Sequence, residues 1–368
     1  TIPTTYVARQ SNGEWGSYEG GKPAALVNMQ RNPLRQLEEG GWNKSKSENT
    51  LINLAVDIKP IKGLVLTGEM IYKAYDYKYR VYEANRPKIK DFVTGKELNG
   101  TDVTDSKMTY DWQENSRLRY NGLANYTWTD NIHNIGVLAG VSYEHYQYQK
   151  QKSYRKKFPT NGMTDINGGS SAPNDMYTEG GTNEDKLMSY FARFNYSYKD
   201  RYLFTATIRR DGSSKFGSNN RYGNFPSVSV GWNMAEESFI KNKLSWLDQL
   251  KIRGGYGVLG NQEIDDYQYT SVVTTGINYP DGDGELLVGA FPKNFASLDI
   301  RWEETAMTNV GIDFMAFRNR LSLTVDWYVK NTKDILLSVP IPISTGGAND
   351  PVRNAGKIRN KGFEFNIG

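Results

Sequence analysis

The 368-residue chain has no cysteine and only two histidines, His133 and His145. The first absence removes disulfide frameworks, thiol nucleophiles and thiolate metal sites. The second leaves too little imidazole for a zinc centre or a Ser-His-Asp triad, and no carboxylate spacing singles out a catalytic pair. Long apolar runs are missing too. Mean hydropathy is −0.65, and nothing approaches the ~18 consecutive apolar residues of a spanning helix. By hydropathy alone the protein reads as soluble. Basic and acidic residues nearly balance, 45 against 41, and the net charge of +4 is too small and too mixed to argue for a nucleic-acid partner. The opening "TIPTTYVARQ" lacks an apolar h-region, so it is no signal peptide, and an exported protein would carry its leader ahead of Thr1.

Aromatic residues are plentiful at 13%, with 25 Tyr and 8 Trp beside 36 Gly, and they fall into a pattern. In "SYFARFNYSYKDRYLFTATIRRDG" (Ser189–Gly212), Tyr190, Ala192, Phe194, Tyr196 and Tyr198 alternate with Ser189, Phe191, Arg193, Asn195 and Ser197. After Lys199 and Asp200 the alternation resumes, with Tyr202, Phe204, Ala206 and Ile208 against Leu203, Thr205, Thr207 and Arg209. A period of two over this length predicts two strands joined by a very short turn. A soluble sandwich would bury the apolar face, whereas a membrane barrel turns it to lipid around a wet lumen. The same rhythm recurs along the chain, giving about twelve candidate strands. It is plain at Thr50–Ile58, Leu64–Tyr72, Leu118–Trp128, Ile135–Tyr143, Val228–Met234, Val310–Ala316 and Leu321–Val329.

The connections between strands decide between the two solvents. Short ones ("KPIKG", "TDNIHN", "KD", "RNR") alternate with long ones near residues 10–47, 81–108, 153–184, 261–299 and 334–360. A medium link, "GSSKFGSNN", falls where a long one is due, and "EESFIKNKLSWLDQL", with room for a brief helix, falls where a short one is due. Sorting loops by length onto opposite ends is the habit of outer-membrane barrels, with short periplasmic turns and long extracellular loops. The fold class expected is therefore all-β, a transmembrane antiparallel β-barrel in the bacterial outer membrane. Arg117, Arg119, Arg193 and Arg209 are then expected to face water in the lumen.

The block "RYGNFPSVSVGWNMAEESF" (Arg221–Phe239), with "YLFTATIRRDGSSKFG" before it, resembles the SusC-like subfamily of TonB-dependent outer-membrane transporters. So do "LKIRGGYGVLGNQEI" (Leu250–Ile264), "LDIRWEETAMTNVGIDF" (Leu298–Phe314), "NRLSLTVDWYVKNTKDIL" (Asn319–Leu336) and "NAGKIRNKGFEF" (Asn354–Phe365). The resemblance is dense from Tyr190 onward and thinner before it. It implies a 22-stranded barrel plugged by an N-terminal domain and powered through TonB. Such proteins import large nutrients, glycans or peptides, with a SusD-like surface lipoprotein as cap. This chain has no candidate plug, no TonB-contacting segment and no terminal aromatic strand, so it reads as an interior piece of a longer barrel. The alternative is the same barrel kept as a scaffold subunit of a larger outer-membrane assembly. No cofactor and no enzymatic activity are expected.

Several local features carry two readings. Lys150, Lys152, Arg155, Lys156 and Lys157 in "KQKSYRKKF" either neutralise lipopolysaccharide phosphates or form an ordinary charged loop base. Trp15, Trp42 and Tyr177, assigned to long loops, either stack on sugar rings, pack the loops or sit at the membrane girdle. "GYGVLG" is a literal G-x-G-x-x-G, but it lies in a strand pattern with no helix after it, so Gly255, Gly257 and Gly260 serve bending or close packing. "DGDGE" aligns Asp281, Asp283 and Glu285 without the remaining calcium-loop positions and reads as a solvated tip. His133 belongs to a periplasmic turn and His145 to an upper strand end, so they share no site. "NPLRQLEEGG" predicts a short helix from Pro33 to Gly40.

Overall fold

A computed structural model describes residues 8, 9, 11, 13–15, 33–90, 94–97, 102–342 and 349–368. Helix α1 (Pro33–Glu39) leads into four long strands, β1 (Gly41–Ile61), β2 (Leu64–Glu83), β3 (Lys107–Thr129) and β4 (His133–Lys156). Then follow β5 (Met176–Tyr198), β6 (Tyr202–Ser213), β7 (Tyr222–Asn233), the short helix α2 (Ser238–Lys241) and β8 (Leu247–Asn261). A hairpin, β9 (Val272–Pro280) and β10 (Leu286–Asn294), precedes β11 (Glu303–Ala316) and β12 (Leu321–Lys333). The chain closes with β13 (Leu336–Ser338), β14 (Val352–Asn354) and β15 (Lys357–Ile367). Among the described residues, eleven strands form one sheet in the order β1-β2-β3-β4-β5-β6-β7-β8-β11-β12-β15, and the remaining four make two small two-stranded sheets. No helix is long and apolar enough to cross a membrane, a fact that leaves crossing by strands open.

The described chain divides into two compact units. One holds Thr1–Leu51, Lys73–Ser116 and Gln147–Asn183, and the other Ile52–Tyr72, Arg117–Tyr146 and Glu184–Gly368. The first is centred on Tyr82, Ala84, Met108 and Phe158, with Trp42 and Tyr110 packed against them. The second has its buried cluster at Phe216, Phe225, Ile300 and Trp302.

Strand register in the second unit explains the alternation. Tyr196, Phe204, Val230, Gly254, Val310, Trp327 and Phe363 stand opposite one another in turn, across β5, β6, β7, β8, β11, β12 and β15. One residue along each strand, the row reads Asn195, Thr205, Ser229, Gly255, Asn309, Tyr328, Gly362. Successive side chains of a strand point to opposite faces, so one face is aromatic and aliphatic and the other polar. The apolar face is the bare one: Phe204, Val230, Val310, Trp327 and Phe363 are all exposed, Val230 at 55%. A face this apolar is stable only against hydrocarbon.

The turns follow from backbone conformation. Lys199 and Asp200 both take the left-handed region, and Arg201 N–H closes the turn on Tyr198 O at 2.9 Å. Gly63, at φ 84°, turns β1 into β2 where an added Cβ would lie 2.3 Å from Thr127 O. The expected short helices are present at Pro33–Glu39, closed by Gly40 N–H on Gln36 O, and at Ser238–Lys241.

Strand boundaries differ from the loop limits read off the sequence. β1 begins at Gly41, inside the 10–47 segment, and β5 begins at Met176, inside 153–184. The 261–299 segment contains the β9–β10 hairpin, and 334–360 contains β13, β14 and the start of β15. In the Gly41–Asn49 and Met176–Asn183 stretches, mostly polar residues continue the strands without an apolar alternation to announce them. The 81–108 segment agrees closely, since β2 ends at Glu83 and β3 starts at Lys107.

Candidate functional site

The polar face of the second unit is a wall of paired charges spanning neighbouring strands. On β8, Arg253 stands opposite Gly311 of β11, and Gly311 stands opposite Asp326 of β12. The absence of a side chain at Gly311 lets the guanidinium cross the middle strand. Arg253 binds Asp326 with two nitrogens at 2.7 Å each, and its Nε reaches Asp313 at 3.0 Å. A Cβ at Gly311 would meet Asp326 Oδ1 at 2.5 Å and Arg253 Cζ at 2.6 Å. Two-point pairing of guanidinium with carboxylate fixes direction as well as charge.

Three of the four arginines expected from the sequence to face the lumen have carboxylate partners. Arg119 Nε donates to Glu144 at 2.7 Å, and Arg117 approaches the same carboxylate at 3.4 Å while lying over the Tyr146 ring. Arg209 binds Asp211 at 2.7 Å and donates to Ser189 at 3.0 Å. Arg193 is exposed and has no ion pair among the described residues. A hollow of about 230 Å3 opens on this face between Thr205, Ser229, Lys251, Arg253 and Asn309.

At the long-loop end the connections are locked to one another. Trp302 lies against Phe216 and Phe225, with ring centroids 5.2 and 5.3 Å away, and its indole N–H donates to Arg221 O at 3.0 Å. Asn354 accepts Arg301 N–H at 2.9 Å and donates to the carbonyls of Arg301 and Asp334 at 2.8 Å each. Arg301 pairs with Asp334 at 2.8 Å, Ser297 donates to Val352 O, and Glu303 accepts Leu336 N–H. In the same region, burial and the neighbouring Asp185 and Asp265 charges push the Asp266 carboxyl up, opposed by Lys215.

Comparison with known proteins gives this inverted sheet a family. The TonB dependent receptor-like, beta-barrel family matches residues 3–368. The chain belongs to that family. It is similar to a TonB-dependent receptor of Formosa agariphila, 32% identical over 91% of this chain and 30% of that protein. It is also similar to the TonB-dependent receptor SusC of Bacteroides thetaiotaomicron, 41% identical over 49% of this chain and 18% of that protein. Among solved structures, the RagAB peptide transporter superposes with a TM-score of 0.81 at 26% identity, over 97% of this chain and 37% of that one. The RagAB peptide importer in its closed-closed state gives 0.83 at 25% identity, over 100% and 38%. The chain thus spans under two-fifths of the length of these relatives. It is a SusC-like chain of the outer membrane, in a family of TonB-dependent receptors.

Within the TonB-dependent receptor frame, the sequence-predicted positions fall as follows. Trp42 lies in β1, not in a loop, and packs against the Tyr82 cluster with Lys44 and Arg80 over its ring. Trp15 is half-buried under Arg9 and donates to Glu39 at 2.7 Å. Tyr177 lies in β5, exposed, stacked on Tyr154 at 5.1 Å with its hydroxyl bonded to Glu179. The basic run splits between the faces of β4: Lys150, Lys152 and Lys156 alternate with Tyr154 on one face, and Arg155 takes the other. Lys150 pairs with Glu179 at 3.7 Å, and Lys157, past the strand end, pairs with Asp175 at 2.9 Å. Gly255, Gly257 and Gly260 all lie in β8, and a Cβ at Gly260 would strike the Phe225 ring. Asp281 folds its carboxylate onto the N–H groups of Asp283 and Glu285, and no group of ligands able to hold a metal occurs among the described residues. His133 bonds Tyr196 at 2.9 Å and His145 bonds Glu184 at 3.1 Å, in separate places.

Sequence reasoning missed the residues that hold the loops. Arg301, Trp302 and Asn354 lie inside the quoted family motifs, and that was the available signal. Their partners are distant in sequence, so spacing alone gave no role.

Proposed function

We propose that the chain forms part of the wall of a TonB-dependent importer. In the whole protein it would contribute to a 22-stranded barrel closed by an N-terminal plug, working with a SusD-like lipoprotein to take up a glycan or peptide too large for passive pores. The observation that carries this is the pairing of an exposed apolar face with a charge-networked polar face on the same strands. A lumen that wide would leak if open, and the outer membrane has no ATP to move a plug, hence the TonB coupling that the family name carries.

In this reading Arg117, Arg119 and Arg209 stiffen the wall through their carboxylates. Arg193 and Lys251, which lack ion pairs among the described residues, are the cations offered to the plug or the solute. Tyr177 with Tyr154 offers an exposed ring face to cargo. Arg155 is the member of the basic run free to meet lipopolysaccharide phosphates.

The test is uptake of radiolabelled glycan and peptide pools by cells making the full-length protein. Uptake is expected to stop when TonB is deleted or the inner-membrane proton gradient is collapsed, while surface binding persists. Uptake continuing under both treatments indicates a passive porin. Absence of solute binding, with deletion disrupting another complex, replaces the reading with the scaffold.

A further inference from the structure

The link between β7 and β8 is out of scale with the other connections at its end of the sheet. Those lie at residues 62–63, 130–132, 199–201 and 317–320, whereas this link runs from 234 to 246. Its path is set by Glu237, which is only 7% exposed. Its carboxylate accepts Tyr202 OH at 2.8 Å, Trp232 Nε1–H at 3.1 Å and an Arg201 nitrogen at 3.1 Å. Tyr202 and Trp232 stand opposite each other on the apolar face, so the link folds outward over the lipid-facing side. It does not fold across the lumen.

Beyond Glu237 the link leaves large apolar side chains bare, with Phe239 at 56% and Trp246 at 44% exposure. Trp246 lies beside Phe314 of the apolar face at 6.3 Å and stacks on Phe317 at 5.6 Å. Phe317, Arg318 and Asn319 all hold the left-handed backbone region, at φ 59°, 60° and 60°. Non-glycine residues persist there only where surroundings over-determine them. Here Phe317 N–H bonds Trp246 O at 2.8 Å and Asn319 N–H bonds Asp248 at 2.9 Å. Cations surround the patch. Lys241 is paired with Glu236, but Lys199, Lys243, Arg318 and Arg320 have no carboxylate partner among the described residues.

We infer that residues 234–246, with the 317–320 turn, form an interfacial anchor seated in the headgroup layer of the leaflet on the short-turn side, where unpaired Lys and Arg meet the phosphates of anionic phospholipid. The occupant is argued from continuity and charge: the patch extends the lipid-facing surface, aromatic rings favour the headgroup level, and the surplus charge is positive. The inference rests on the barrel reading above, because it takes the apolar face as lipid-facing.

The test uses the full-length protein in vesicles of phosphatidylethanolamine with phosphatidylglycerol, and in phosphatidylcholine vesicles. Single cysteines at Phe239→Cys, Lys62→Cys and Val230→Cys carry a bimane fluorophore. Bimane at position 239 is expected to be quenched more by lipid with a shallow doxyl label than by a deep one. At position 62 it should respond to aqueous iodide, and at 230 to the deep lipid label. Adding Lys243→Glu and Arg318→Glu is expected to halve the shallow quenching in phosphatidylglycerol vesicles and leave it unchanged in phosphatidylcholine. Iodide quenching at 239 equal to that at 62, with 230 still lipid-quenched, overturns the anchor alone. Loss of lipid quenching at 230 overturns the barrel reading itself.

Discussion

Trp302 and Trp232 belong to one compact unit and both donate their indole N–H, yet the molecule treats them oppositely. Trp302, at the long-loop end, is 6% exposed among Phe216 and Phe225 and donates to a backbone carbonyl. Trp232, at the short-turn end, stacks on the exposed Tyr202 and donates to the Glu237 carboxylate. The loop end gathers its rings inward, as a protein in water must. The turn end leaves rings outside and bonds only their polar tips, as suits a boundary between hydrocarbon and water. The same residue types thus report two solvents within one unit.

The largest effect is expected at the loop end. Trp302→Ala should cost about 3–5 kcal/mol of local packing, in the range of large aromatic truncations. Hydrogen exchange should then rise across Arg301, Asp334 and Asn354 while Val230–Asn233, at the turn end, stay protected. Equal loss of protection in both places would mean that the two ends are one cooperative core and the comparison is false.

A smaller cost is expected from a charge on the apolar face. Phe194→Arg should cost roughly 2–4 kcal/mol near the midplane, and Asn195→Arg far less. Heat-modifiable gel mobility of the assembled barrel measures both. An equal or worse outcome for Asn195→Arg reverses the assignment of faces.

Gly311→Ala comes next, at roughly 1–3 kcal/mol for overpacking a filled site. The added methyl must displace Arg253 from Asp326, so the thermal midpoint of the reconstituted barrel should fall with no change at the loop end. No loss would mean that the crossing guanidinium contributes nothing.

The smallest effect separates the two ends by pH. Hydrogen bonds from Tyr202 and Trp232 hold the Glu237 carboxyl below its usual range. A depressed carboxyl contributes stability that is present above the unfolded value, about 4.3, and lost as pH falls through the folded one. Asp266 is shifted upward by burial, so it opposes folding at neutral pH and that opposition eases as pH falls toward its unfolded value, about 3.9. As pH falls from neutral toward the unfolded carboxylate range, protection factors around Asp266, taken relative to intrinsic exchange rates, should rise, whereas the link around Glu237 should lose protection only once pH falls below about 4.3. Parallel behaviour would contradict the opposed shifts.

The strands were legible in the sequence because lipid on one side and water on the other force a period of two. Phe194 against Asn195 and Val230 against Ser229 carry that message locally. The Lys199-Asp200 turn was legible because its neighbours alternate without interruption. Hidden features depend on distant partners. Asn354 acts on Arg301, and Trp302 on Arg221, across dozens of residues. The β9–β10 hairpin was missed because its two strands pair only with each other, apart from the main sheet, so no division into lipid and lumen sides imposes a period of two. Glu237 was missed because its three donors come from β6, the turn before it and β7. Trp42 was misplaced because Asn43 to Asn49 are polar, although their backbone continues β1.

The most direct measurement is spin-label accessibility at consecutive positions from Ser227 to Trp232, in the full-length protein reconstituted in phospholipid vesicles. Oxygen accessibility is expected to peak at 228, 230 and 232, and nickel-chelate accessibility at 227, 229 and 231, two oscillations of period two in opposite phase. Oscillations in phase, or nickel peaking at 228 and 230, would contradict the claim that these strands hold lipid on one face and a wet lumen on the other.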